Sequence, residues 1–375
     1  MQCKEIFKFI EDWAPKAAAW TNDNPGLQVG CPDDNISGIL LCLEITPKVV
    51  EEAIRKKLNL VIAHHPFLFK PLNKIDITRD PKAQIIKTLI KNDISLYSAH
   101  TNLDFTTDGV SFQLAKKLQL KNIKFLHQSE SNQCKLVVFV PEPDVERISS
   151  LLFEEGCGII GNYSECSFRT AGQGTFKGSE LTSPSVGTKN IFETVNETRL
   201  EVVLNKWRVK EVVKKLRAAH PYEEPAIDVY PLDNGNMQFG IGAVGELTSP
   251  MSKKEFFKHI TDKLNLDNFR YSDAAANDEI KKVAVCGGAG MEVFPFALMQ
   301  KADVLITADI KYHSFHDANG DILLIDAGHY ETEIVVLDEV EKRIKEFVKD
   351  ENFGVFKFPG STNPINYYRT TDKKE

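Results

Sequence analysis

Two adjacent histidines, His64 and His65, close an apolar run, LNLVIAHHP (58–66). Two other apolar runs end in the same kind of chemistry. ISLYSAHTNLDF (94–105) sets His100 and Asp104 four residues apart, and DILLIDAGHYETE (321–333) does the same with His329 and Glu333. A four-residue step puts two side chains on one helical face, so an imidazole and a carboxylate can converge on one centre. Neighbouring side chains in a strand point to opposite faces, but beyond its end they can splay towards two nearby points. His64 and His65 therefore suit two metal ions better than one. A mixed imidazole and carboxylate set fits zinc, manganese, iron, cobalt or nickel without choosing among them. Two ions held side by side would activate water and clamp attacking and leaving oxygens. That is the chemistry of ester, amide, phosphate or ring C–N hydrolysis.

Two further stretches carry weaker signals. ITADIKYHSFHDA (306–318) offers Asp309, His313 and His316 after a fourth apolar run. Asp309 reads either as a helix N-cap beside a surface histidine or as part of a site where His313 transfers protons or binds substrate. CGGAG (286–290) exposes backbone N–H groups that could hold an anion, or turns the chain tightly through its glycines. It lacks the Gly-Lys-Ser/Thr of a Walker loop.

The elements that must position these groups alternate. SGILLCLEI (37–45) reads as a strand and TPKVVEEAIRKKL (46–58) as a helix with Pro47 in its first turn. The histidine strand, a helix at 81–93 and a strand at 94–100 follow. Such repetition implies a largely parallel α/β sheet, whose ligands gather beyond the carboxyl ends of the strands. From residue 250 the same texture returns, with strands at 281–290, 303–309 and 321–329 and a final helix over 332–350. Between these halves the texture differs: strand–helix units at 135–163 and 199–232 flank a Gly/Ser/Thr-rich span, 170–190, that reads as a long loop or hairpin. The expected architecture is one discontinuous α/β domain, 1–128 plus 236–375, with a compact α+β module inserted at 130–235.

Composition sets the outer limits. The 375 residues are 42% hydrophobic and 26% charged, values ordinary for a globular protein with two or three domains. No apolar stretch reaches the length of a membrane span, and MQCKEIFKFIEDWAP lacks a signal-peptide layout, reading instead as an amphipathic helix. A net charge of −7 without basic blocks counts against nucleic acid as a partner. Seven scattered cysteines, never spaced Cys-x-x-Cys, point to a reducing cytoplasm rather than a disulfide framework.

In chain order, WTNDNPGLQVG (20–30), AHHPFLFKP (63–71), SAHTNLD (98–104), ITADIKYH (306–313), GHYETE (328–333) and STNPINYY (361–368) resemble the NIF-three-like family of dinuclear-metal proteins. Members are widely labelled GTP cyclohydrolase 1 type 2 homologues. The resemblance implies an α/β fold of two similar halves, assembled as a toroidal homohexamer with metal sites facing its cavity. It implies two divalent ions per subunit, held by His64, His65, Asp104, His329 and a bridging Glu333. His100, in the same motif, would be a further ligand or a partner behind the ligands, and in a hydrolase His100 or His313 would shuttle protons. Members often carry aspartate where this chain has Glu44. Within the insert, AAHPYEEPAIDVYPL (218–232) looks like the signature of CutA/PII-like modules, which are ferredoxin-like α+β folds. Its His220, Glu223 and Glu224 read as a structural turn and packing edge rather than a second metal site.

Two functions follow from these expectations. One is a metal-dependent hydrolase acting on a small molecule or nucleotide, with GTP ring opening as the inherited label. The other is a non-catalytic metal-binding scaffold or regulator whose PII-like insert senses a small molecule.

Overall fold

The structure, a computed structural model, describes residues 1–129, 132–272, 279–318 and 320–368. The chain divides into two compact units, residues 1–127 with 239–375, and residues 128–238.

The first unit begins with helix α1 (Cys3–Trp13) and strands β1 (Gly26–Val29) and β2 (Ile39–Cys42). Helix α2 (Pro47–Lys56), strand β3 (Leu60–Ala63), helix α3 (Pro81–Lys91) and strand β4 (Ser95–Ser98) follow. Local chemistry starts the two long helices. Thr46 accepts the Val49 N–H ahead of Pro47, and Asp80 accepts the Lys82 N–H ahead of Pro81. Past β4 come the one-turn helix α4 (Thr101–Asp104), α5 (Val110–Lys117) and strand β5 (Lys121–Ser129).

The second unit contains β6 (Gln133–Pro141), α6 (Val145–Glu154), β7 (Ser167–Lys177), β8 (Phe192–Asn205), α7 (Val209–Ala219) and β9 (Ile227–Pro231). Its sheet runs β7-β8-β6-β9, antiparallel throughout. Each helix joins two strands that flank a third, the split βαβ arrangement of ferredoxin-like folds. Its core is its own: Leu136, Val138, Ile148, Leu152, Val202 and Leu216 are buried together.

The chain returns through β10 (Asn236–Ser252), α8 (Lys253–Leu264), β11 (Arg270–Tyr271), β12 (Glu279–Ala289), α9 (Phe294–Met299), β13 (Val304–Ala308), α10 (Tyr312–Asp317) and β14 (Leu323–Asp326). Helices α11 (His329–Glu333) and α12 (Val336–Phe347) and strand β15 (Val355–Lys357) complete the described elements. Where the sequence reads as one helix over 332–350, the structure has two. A tight turn in which the Leu337 N–H donates to the Ile334 carbonyl separates them. That break frees α11 to address the strand ends while α12 lies in the core.

Two sheets carry the first unit: β1-β4-β3-β2-β15 and β11-β14-β13-β12-β10-β5. They share a design. β2, β3 and β4 are parallel with β1 antiparallel at the edge, and β12, β13 and β14 are parallel with β11 antiparallel at the edge. Both faces of each triplet are covered, as parallel sheets require. Ile39, Leu41, Leu60 and Ile62 pack with α1 and α12, whereas Leu40, Cys42, Val61 and Ala63 pack with α2 and α3. Val283, Val285, Val304 and Ile306 pack with α5 and α8. Among the described residues no helix is long and apolar enough to cross a membrane, and all seven cysteines are free.

Candidate metal centre

Strand register places the first candidate ligands. Cys42 pairs with Ala63 and Ala63 with Ser98, so the next residues on β3 and β4 lie side by side where pairing stops. The His64 and His65 N–H groups still bond back, to the Cys42 carbonyl at 3.1 Å and the Leu43 carbonyl at 2.9 Å. Both imidazoles are thereby fixed at the carboxyl edge of a buried sheet.

Each of four imidazoles is tied down through Nδ1. His64 Nδ1 donates to the Ala99 carbonyl at 2.8 Å, His65 Nδ1 to Glu44 at 2.9 Å, His100 Nδ1 to Asp23 at 2.8 Å and His329 Nδ1 to Asp309 at 2.7 Å. A proton held on Nδ1 leaves the Nε2 lone pair as the free ligand atom, the arrangement by which outer partners orient metal-binding histidines.

The Nε2 atoms and two carboxylates meet. His65 Nε2 is 3.0 Å from Glu333 Oε2 and His329 Nε2 is 3.1 Å from Glu333 Oε1. His64 Nε2 lies 3.6 Å from Asp104 Oδ1 and 3.8 Å from Glu333 Oε1. The His65 and His329 Nε2 atoms are 3.3 Å apart, and ligand atoms at the corners of a tetrahedron with zinc-like bonds would be about 3.3 Å apart. His64, His65 and His100 form one compact donor group, and His65, His329 and Glu333 another. Three buried atoms facing this cluster, His64 Nε2, Asp104 Oδ1 and Glu333 Oε2, make no hydrogen bond; the short approach of Glu333 Oε2 to His65 lacks the geometry of one. Buried polar atoms left this way carry a large desolvation cost unless something binds them. Acceptors crowded together without donors fit a cation.

Charge in the ion-free chain follows from the same contacts. Burial of Glu333 would raise its pKa, but His329, His64 and His65 hold it well below the carboxylate range. Burial would lower His65, yet Glu333 and Glu44 lift it to about 10. Glu333 chiefly lifts His329, to about 9. For His64, fully enclosed, desolvation wins and the pKa falls. Desolvation and then the Glu333 charge push Asp104 well above its usual range. In the ion-free chain the Glu333 charge therefore favours protons on His65 and His329 but not on buried His64.

Several supporting residues have modest sequence signals. Asp23, in the WTNDNPG stretch, accepts from His100 with one oxygen and from the Thr101 N–H, at 3.1 Å, with the other. Glu44 reaches His65 with one oxygen and accepts the Thr362 hydroxyl with the other, which gives the STNPINYY stretch a place beside the cluster. Asp309 is not a helix N-cap. It takes the left-handed conformation, φ 55°, and α10 begins three residues later without a side-chain cap. Its carboxylate is the partner of His329. His313 is exposed on α10, edge-on to Tyr312, and none of its described contacts joins it to the cluster. The CGGAG loop is not an anion cradle, because the Gly287 and Gly288 N–H groups donate to the Ser111 and Thr332 hydroxyls. Its role is clearance: Gly288 has φ +65°, and a Cβ there would run into the Glu333 carboxylate. His220 is satisfied at both ring nitrogens, by the Phe139 carbonyl and the Tyr222 N–H.

The architecture and this cluster define a class: a mixed α/β protein whose paired sheets converge histidines and carboxylates at strand ends. The chain belongs to the Duf34/NIF3 (NGG1p interacting factor 3) family, whose model matches residues 1–364. It is 37% identical over 350 residues to a Halalkalibacterium halodurans protein named GTP cyclohydrolase 1 type 2 homolog, covering 93% of both chains. A Bacillus subtilis protein of the same name is 36% identical over 368 residues, covering 97% of this chain and 98% of the relative. The crystal structure of a Bacillus cereus protein related to NIF3 superposes with a TM-score of 0.86 at 36% identity, covering 98% of this chain and 99% of that one.

Proposed function

We propose that this chain holds two divalent metal ions and acts as a metal-dependent hydrolase. His64, Asp104 and Glu333 would hold one ion, and His65, His329 and Glu333 the other, with Glu333 shared through its two oxygens. One observation carries the reading: four imidazoles are each anchored outward through Nδ1, while the Nε2 atoms of His64, His65 and His329 lie against the Asp104 and Glu333 carboxylates, of which Asp104 Oδ1 and Glu333 Oε2 have no donor. When bound, such a pair of ions supplies Lewis acidity and polarises an attacking water. The chain's own residues do the rest. Asp23 fixes the His100 ring so that its Nε2 can hold or release a proton beside the ligands, and Glu44 and Asp309 keep His65 and His329 aimed inward. His100 is the group proposed for proton transfer, because it shares the compact donor group with His64 and His65, whereas no described contact joins exposed His313 to it.

The name carried by the relatives makes GTP the first substrate to try, with phosphoesters beside it. Purified chain is expected to carry about two divalent ions, and hydrolysis of at least one panel member is expected to vanish in His65→Ala and Glu333→Ala. Turnover unaffected by both substitutions would refute the hydrolase. Retained metal with no turnover on any substrate would favour the second reading, a metal-binding scaffold or regulator, which the separate second unit with its own core supports. Assembly as a homohexamer belongs to the same proposal, and a monomer by light scattering would remove it.

A further inference from the structure

Two sequence features have no part in that centre: the Gly/Ser/Thr-rich span around 170–190 and the HPYEEP turn at 220–225. The structure brings them together inside the second unit. The span forms the β7–β8 hairpin and its long connection, which folds back so that the Ser183 N–H donates to Glu223 at 2.8 Å. Between them lies a cavity of about 450 Å³, within the range that small-molecule sites occupy.

Its walls are Phe139, Phe176, Pro184 and Val186, and its acidic side is Glu197, Glu223 and Glu224, against a single ammonium, Lys177. Glu197 lies against Gly174, where a Cβ would run into its carboxylate, so the missing side chain makes room for that charge. Tyr222 also lines the cavity, and its hydroxyl is shielded from solvent and faces Glu197 without the geometry of a hydrogen bond. A buried hydroxyl without a partner is costly unless a ligand satisfies it. Aromatic faces attract cations, and three carboxylates repel phosphate and carboxylate groups.

We propose that this cavity binds a small organic cation, an amine or guanidinium carried on an aromatic or aliphatic body. The body packs against Phe139, Phe176 and Val186, the cationic group meets Glu197, and the Tyr222 hydroxyl completes its hydrogen bonding. This site is separate from the metal centre and does not depend on it.

Isothermal titration of the full chain with phenethylamine, phenylacetate and ATP tests the assignment. Phenethylamine is expected to bind at one site per chain, while phenylacetate, the same ring with the opposite charge, and ATP give no binding. Glu197→Gln is expected to weaken phenethylamine about tenfold, as expected for loss of a charge-assisted hydrogen bond, and Tyr222→Phe by a smaller factor. Val186→Arg, at an exposed wall position, blocks and repels the cation without touching buried groups, and it decides the matter if Glu197→Gln fails to fold. Metal content is expected unchanged in all three variants. The proposal is overturned by absence of phenethylamine binding, by equal binding of phenylacetate or ATP, or by wild-type affinity in folded Val186→Arg.

Discussion

The two sheets of the first unit share one topology and divide the labour of the candidate centre unequally. β3 and β13 occupy matching positions; one ends in His64 and His65, the other in Asp309. β4 and β14 match as well, and each is followed by a histidine with an acid four residues on, His100 with Asp104 and His329 with Glu333. The outcomes differ by a methylene and a backbone. Asp104 comes no nearer than 3.6 Å to His64, whereas Glu333 reaches His65 at 3.0 Å and His329 at 3.1 Å with separate oxygens. Asp309, in a left-handed conformation, instead supplies the carboxylate that holds the His329 ring through Nδ1. Matching scaffolds therefore offer matching positions, and side-chain length decides which one becomes the hub.

The sharpest way to break that asymmetry is Glu333→Asp, which gives the second half the first half's shorter acid. Loss of at least one ion per chain by elemental analysis is the expected result, with Glu333→Ala losing both. Retention of two ions by Glu333→Asp would show that reach is not what makes Glu333 the hub.

Next in size is Gly288→Ala. Its Cβ runs into Glu333 and its left-handed backbone is strained, a cost of about 1–3 kcal/mol. A lower Tm and reduced metal content are expected together. An unchanged melting curve would remove the clearance argument.

The outer carboxylates come third. Glu44→Gln and Asp309→Asn are each expected to weaken metal affinity by about 10- to 100-fold, the usual penalty for removing a group that orients a ligand. Competition with a chromophoric chelator reads this directly. Glu44 stands behind His65 and Asp309 behind His329, the two histidines assigned to one ion, so similar losses are expected from both variants, and a loss in only one of them would contradict that pairing.

The smallest effect is one of pH. His65 and His329 have pKa values raised to about 10 and about 9 in the ion-free chain. Their contribution to stability is fully present below about pH 6.5, the ordinary histidine value, and is lost as pH rises through those raised values. Metal affinity runs the other way, increasing with pH over the same window because ions must displace those protons. Titration in buffers of different ionisation enthalpy near pH 7.5 is expected to show proton release on metal loading. Heats independent of the buffer would contradict it. Buried His64, its pKa lowered, contributes no proton there.

Much of the fold was legible because buried parallel strands are short, uninterrupted apolar runs. SGILLCLEI, LNLVIA and DILLID each contain a strand of the structure, and Thr46-Pro47 opens the helix its chemistry implies. The division of 329–350 into α11 and α12 was not legible, since periodicity alone continues through the break. The histidines at strand ends, and the four-residue steps to Asp104 and Glu333, stood out in sequence because local geometry decides which face they share. The roles of Asp23, Glu44 and Asp309 did not, for each partners a histidine at least twenty residues away.

The sequence by itself determined the candidate ligand types, their placement at the ends of apolar strands and the helical step that pairs imidazole with carboxylate. These depend on short-range periodicity and chain stereochemistry. Tertiary structure decided which strand ends meet, that Glu333 rather than Asp104 sits at the hub, and that each ring is turned by an acid or carbonyl behind it. It also decided that Gly288 must leave room and that the HPYEEP turn closes a cavity with the β7–β8 connection. Those outcomes depend on register, on the convergence of two sheets and on burial, which bring groups far apart in the chain within a few ångströms and leave their polar atoms without water.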